Sequence, residues 1–247
     1  MNYNEFIDYL KEEFDHEKRE DILIFHPSHK SSYSIHLPFE INKKLCYLAG
    51  VIYGDGHLKK GKNRVIVELA NRDFILILKR IFKTQFKAKP IIREIEDKRP
   101  NRKTRFMLEI NSKIVKNFFH HVFNVPIGSK DEFKLPNWVL QSNKSLQLSF
   151  LAGVFDTDGG IHSHYFGVTT KDREFSKSIK KLLEMNSFQP KIDSWLNKKY
   201  QKKYWNVYLN KEEFNNILNK IPIKNRDKIL YLCTDARVVK GARNKQF

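Results

Sequence analysis

The sequence has little cysteine, no long apolar run and too few acids to balance its bases. Its two cysteines, Cys46 and Cys233, lie far apart in apolar stretches (KLCYLAG and ILYLCTDA). They form no CxxC or Cys/His spacing, which argues against a zinc site or a disulfide framework and for buried thiols in a reducing compartment. The opening MNYNEFIDYLKEEFD is charged and lacks the apolar stretch of a secretion signal. No run approaches the length that spans a bilayer, so the expectation is a soluble, intracellular protein with no membrane partner. The shortage of acid is the first functional clue. Lys and Arg number 46 against 28 Asp and Glu, a formal charge of +18 over 247 residues. Such an excess favours a polyanionic partner through its long-range field and counterion release, and it places nucleic acid first among ligands. The 40% hydrophobic content suffices for one large domain or two small ones.

What the chain does contain is an internal repeat. LCYLAGVIYGDGHL, from residue 45 to 58, recurs as LSFLAGVFDTDGGI, from 148 to 161. Each copy is followed by a strand-like run (RVIVEL, then YFGVTT) and an amphipathic charged stretch. A proline (Pro90, Pro190), a basic hairpin-like region and a second strand (RFMLEI, then WNVYLN) come next. Another helix-like segment follows, and each half closes alike, with PIGSKD from Pro126 and PIKNRD from Pro222. The strands rest on period-two alternation, as in Val65, Val67 and Leu69 against Arg64, Ile66 and Glu68. The helices rest on 3.6-residue spacing, as in Phe74, Ile77, Leu78, Ile81 and Phe82. The expected organisation is an N-terminal extension over 1–40, a first repeat over 41–140 and a second over 141–247. Within the extension, FIDYLKEEF reads as a short helix and SSYSIHLPF as extended; packing on the first repeat and added DNA contact are its two candidate roles. One sheet face per repeat would pack on helices. The other would stay open, basic, polar and aromatic.

Within the repeated motif, Gly50 and Gly54 lie on one helical face, and Gly153 with Thr157 repeats the small pair. Small residues there cost helix stability but let two backbones approach closely. Two such helices packed side by side bring Asp55 and Asp158 together at their ends. Gly56 and Gly159, which follow the acids, are expected to form left-handed caps. Paired carboxylates repel unless a cation sits between them, and a hard divalent ion takes carboxylate, carbonyl and water oxygens. Asp156, two residues before the second acid, is expected to point elsewhere as a supporting group.

These segments resemble the signature of the LAGLIDADG homing endonucleases, in their monomeric two-motif branch. The nine-letter motif lands on Leu48-Ala49-Gly50-Val51-Ile52-Tyr53-Gly54-Asp55-Gly56 and on Leu151-Ala152-Gly153-Val154-Phe155-Asp156-Thr157-Asp158-Gly159, and departs at Tyr53, where the family name has Asp. The resemblance implies an α+β fold of two pseudo-symmetric αββαββα repeats whose antiparallel sheets form a saddle on double-stranded DNA. It implies Mg²⁺, with Mn²⁺ as a substitute, held by Asp55 and Asp158 with the carbonyls of Gly54 and Thr157. It also implies metal-dependent hydrolysis of both strands, with short 3′ overhangs, and a basic residue near the active centre in each half. Lys130 in PIGSKD and Arg226 or Lys228 in PIKNRDK are the candidates. Arg64, Arg93, Arg105, Lys202, Tyr204, Asn206 and Tyr208 are the expected DNA contacts. A non-cleaving binder on the same scaffold, an intron-RNA maturase or a transcription regulator, is the alternative; both acids are present, which favours the enzyme. The Met1 start and the GARNKQF end favour an intron-encoded or free-standing origin over an intein.

Overall fold

The structure, a computed structural model, describes residues 1–27, 33–96, 104–129, 134–162, 165–199 and 201–243. The extension opens with α1 (Tyr3–Glu13), started by a capping box between Asn2 and Glu5. Strands β1 (Asp15–Arg19), β2 (Ile22–His26) and β3 (Ile35–Pro38) then pair antiparallel in that order. The first repeat runs α2 (Lys43–Tyr53), β4 (Gly56–Leu58), β5 (Arg64–Leu69), α3 (Arg72–Phe86), β6 (Ile91–Ile95), β7 (Arg105–Asn111) and α4 (Lys113–Asn117), which continues into a π-helical turn over Phe118–Val122. After the short α5 (Asn137–Gln141), the second repeat runs α6 (Lys144–Asp158), β8 (Gly159–His162), β9 (Tyr165–Thr170), α7 (Arg173–Met185), β10 (Lys191–Asn197), β11 (Lys202–Asn210) and α8 (Phe214–Lys220). A last helix, α9 (Arg226–Arg243), packs on α8. Both repeats are thus αββαββα, as expected. Their four-stranded sheets have matching antiparallel orders, β4-β5-β7-β6 and β8-β9-β11-β10.

The repeat extends to the helix starts. Asn42 and Asn143 cap the two motif helices by accepting from the amides of Leu45 and Leu146. Asn71 and Asp172 cap α3 and α7 in the same way, through the amides of Phe74 and Phe175. Motif helices α2 and α6 form the centre of the molecule. Every residue of α2 from Leu45 to Tyr53 is buried, as befits a helix apolar on all sides. A Cβ on Gly50 would overlap the Phe150 carbonyl oxygen and lie 3.0 Å from the Val154 nitrogen. One on Gly153 would overlap the Tyr47 carbonyl and lie 2.7 Å from the Val51 nitrogen. The two backbones touch where the sequence places its small residues.

The glycines after the acids correct one expectation. Neither is left-handed: α2 stops early at Gly54 (φ −73°, ψ −98°), and Gly159 has φ −60° and ψ 123°. Positive-φ glycines are found instead at Gly61 and Gly128. Close approach is what demands glycine at the motif ends. A Cβ on Gly56 would lie 2.6 Å from the Ile52 Cα, and one on Gly159 would lie 2.8 Å from the Phe166 ring. The extension packs on the first repeat, with the Phe6 and Tyr3 rings 6.0 and 6.2 Å from that of Phe118.

Candidate functional site

The close helix packing decides where the acids go. Asp55 and Asp158 both leave the ends of the paired helices half-buried. A Cβ on Gly54 would clash with the Thr157 side chain and come within 3.4 Å of the Asp158 carboxyl carbon, so the peptide before Asp55 runs directly beside Asp158. The Thr157 hydroxyl is turned back onto its own helix, donating to the carbonyls of Gly153 at 2.9 Å and Val154 at 3.1 Å. Among the described residues no three His, Cys, Asp or Glu side chains gather as a metal cluster. A cation here would therefore rest on a carboxylate pair, neighbouring backbone carbonyls and water. That all-oxygen set fits Mg²⁺, which keeps several waters and needs few protein carboxylates.

Of the two basic candidates among the described residues, Lys228 lies within electrostatic reach of the acids. Lys228, in the first turn of α9, is half-buried, and burial pulls its ammonium below the usual lysine range; Asp55, Asp156, Asp158 and Asp227 oppose that shift through their charge. Arg226 is exposed at the start of the same helix. Lys130 lies outside the described residues. Asp156 is not beside the acid pair's exposed end but inside the molecule, 1% exposed. It accepts from the Tyr47 hydroxyl at 2.7 Å, the Asn225 amide at 3.0 Å and the Lys224 amide at 2.9 Å. Burial raises its pKa while these donors oppose the rise. Burial, with the charge of Asp156, also drives the Tyr47 phenol well above its ordinary value.

The open faces of the two sheets are in matching register but differ in chemistry. In the first, Arg64 Nη1 lies 3.0 Å from Glu109 Oε2, and Arg105 Nη1 lies 3.3 Å from Glu68 Oε2. Arg93 is exposed on β6. Residues 97–103, the rest of that basic hairpin, lie outside the described residues. In the second, the positions of Arg64, Glu109, Arg105 and Ile95 are taken by Tyr165, Tyr208, Tyr204 and Trp195. Tyr165 and Tyr208 rings are 4.5 Å apart, Trp195 stacks on Tyr204 at 5.7 Å, and Lys202 is exposed beside them. Asn206 requires a correction. At 2% exposure, with the Thr169 hydroxyl donating to its amide oxygen at 3.3 Å, it is held within the sheet and offers no edge to a base.

The Arg–Glu pairs and the partners of Asp156 are not legible in the sequence. Glu109 stands in the outward register of its strand, so its alternation was visible, but which strand lies beside it was not. The Lys224 and Asn225 amides carry no side-chain signal at all.

A family model described as LAGLIDADG-like domain matches residues 42–122 and 145–222, one stretch in each repeat. The replication factor C small subunit of Methanocaldococcus jannaschii is 33% identical over 162 residues, covering 56% of this chain and 8% of that protein. The chain thus spans only a small part of that curated relative's length. Among solved structures, the homing endonuclease I-DmoI, in complex with DNA and Mn, superposes with a TM-score of 0.53 at 15% identity, over 72% of this chain and 96% of its own. Full-length DUF199/WhiA from Thermatoga maritima superposes with a TM-score of 0.53 at 14% identity, over 85% of this chain and 68% of its own. At such identities the likeness is one of fold.

Proposed function

Because the chain belongs to the family of LAGLIDADG-like domains through both of its repeats, we propose that it is a site-specific endonuclease cutting both strands of duplex DNA as a monomer. The observation that carries this reading is the meeting of Asp55 and Asp158 at the ends of two helices locked by Gly50 and Gly153, with Lys228 in electrostatic reach. The two carboxylates, with the carbonyls of Gly54 and Thr157, would hold Mg²⁺ or Mn²⁺. Such a metal supplies an activated water and stabilises the leaving oxygen at a phosphodiester. Lys228 adds positive charge where negative charge grows on the phosphate, with Arg226 and Lys130 as outer candidates. The open sheet faces form the saddle over the duplex. Arg64, Arg93, Arg105 and Lys202 supply charge there, and Tyr204 and Tyr208 supply stacking and hydroxyl contacts. Short 3′ overhangs follow if the paired centres reach both strands across the minor groove. Intron RNA is a further candidate partner.

The test starts with in vitro selection. Purified protein and Mg²⁺ meet a randomised duplex library beside an EDTA control, and the ends are sequenced. Cuts at one long site that vanish with EDTA are the expected result. On that site, Asp55→Asn and Asp158→Asn should each slow double-strand cleavage about a thousandfold or more while DNA affinity stays within about threefold. Double-strand cutting retained by either variant overturns the assignment. Specific binding without cutting, in Mg²⁺ and in Mn²⁺, points instead to a non-cleaving binder.

A further inference from the structure

We propose that Asp156 is the positioning residue that seats Lys228 beside the acid pair, an assignment resting on the reading of that pair as a nuclease centre. The geometry is a tether. Asp156 Oδ1 accepts from the amides of Asn225 at 3.0 Å and Lys224 at 3.1 Å, and Oδ2 accepts from Lys224 at 2.9 Å and from the Tyr47 hydroxyl at 2.7 Å. The Asn225 side chain closes the loop. Its Nδ2 donates to the Asp156 carbonyl at 3.0 Å, and its Oδ1 accepts from the Asp227 amide at 3.2 Å. Lys228 is the next residue. One buried carboxylate therefore holds the turn into α9 against both motif helices, α6 through its own backbone and α2 through Tyr47.

A buried carboxylate is a poor choice for stability alone, since apolar packing of equal volume often does as well. Fully satisfied, it specifies one arrangement of the segments that donate to it. The matching motif position in the first repeat is Tyr53. Its hydroxyl donates to the Phe123 carbonyl, near the closing segment of that half. The first repeat thus uses this position to hold the end of its last helical turn through a phenol, whereas the second uses a carboxylate bound to the backbone amides that lead into α9.

The experiment uses the full chain and two variants, Asp156→Asn and Asn225→Ala, the second guarding against failure of the first to fold. Amide hydrogen exchange at residues 225–229 should speed up about tenfold or more, while α2 stays as protected as in the parent. Acylation of the Lys228 amine, followed by mass spectrometry, should speed up about threefold or more as the half-buried amine is released, and an unchanged rate in both variants overturns the tether. Unchanged exchange at 225–229 in both variants, or an equal rise throughout α2, overturns the tether. On the selected DNA site, Asp156→Asn added to Lys228→Ala should slow cleavage no further than Lys228→Ala alone, because the two act as one unit; an additive loss overturns the positioning role. If the parent protein cuts no duplex, the nuclease reading fails, and exchange and acylation still decide the tether.

Discussion

At Gly153 the chain has no room for a single methyl group, because the Val51 nitrogen would lie 2.7 Å from it and the Tyr47 carbonyl closer still. Those are backbone atoms of a fully buried helix, so relief requires moving the helix itself. Gly153→Ala should destabilise the protein by about 2–4 kcal/mol. Gly61 offers the contrast: its φ is +67° and nothing lies within 4 Å of an added Cβ. Gly61→Ala should cost only about 1–2 kcal/mol, the penalty of a left-handed backbone. Urea titration measures both, and equal losses would mean that the helix interface yields. The glycines of the motif were plain to see and their role in close packing followed from spacing. Gly56 and Gly159, however, read as left-handed caps when they are contact glycines. A glycine letter carries both possibilities, and only the neighbouring helix separates them.

Elements were legible where periodicity was strong. The order αββαββα, twice, follows from alternation in RVIVEL and RFMLEI and from helical spacing in Phe74, Leu78 and Phe82, all of which are buried in α3. The hairpin of β1 and β2 was not visible, because DHEKR is polar throughout and mostly exposed along the strand. Its partner ILIFH follows directly across the Glu20-Asp21 turn, where Glu20 takes a positive φ of 45° without the Gly or Asn that would signal such a turn. The π-helical turn was equally silent. It sets Phe118 and Phe119 into one aromatic cluster with Phe82, Phe86 and Phe123, and α1 closes that cluster with Phe6. This placement makes the extension part of the core. Phe6→Ala should therefore cost about 3–5 kcal/mol of stability by opening a cavity. Below the melting temperature it should leave the DNA affinity and its salt dependence unchanged. Scanning calorimetry and a binding titration check the two halves of that statement, and a changed salt slope would return the extension to the DNA surface.

Over the whole molecule, the charge of +18 does not translate into a uniform cationic surface on the sheets. On the first repeat Arg64 and Arg105 are already paired with Glu109 and Glu68, whereas the second repeat presents tyrosines in place of Arg64, Arg105 and Glu109 and Thr169 in place of Glu68. A solvent-facing pair such as Arg105–Glu68 contributes little stability, about 0–1 kcal/mol, so its effect falls on binding. The acid holds the guanidinium in one orientation and cancels part of its pull on phosphate. Such a pair favours a fixed contact over general attraction. Glu68→Gln should then raise affinity for random duplex DNA, and it should steepen the dependence of log K on log salt concentration by about one unit if Arg105 gains a phosphate contact. Arg105→Ala should move both quantities the other way. Fluorescence anisotropy with a duplex of arbitrary sequence, titrated across salt concentrations, reads both. If neither variant shifts the slope, the first sheet's open face does not meet the phosphates, and the duplex must be carried by the lysines and aromatic rings of the second.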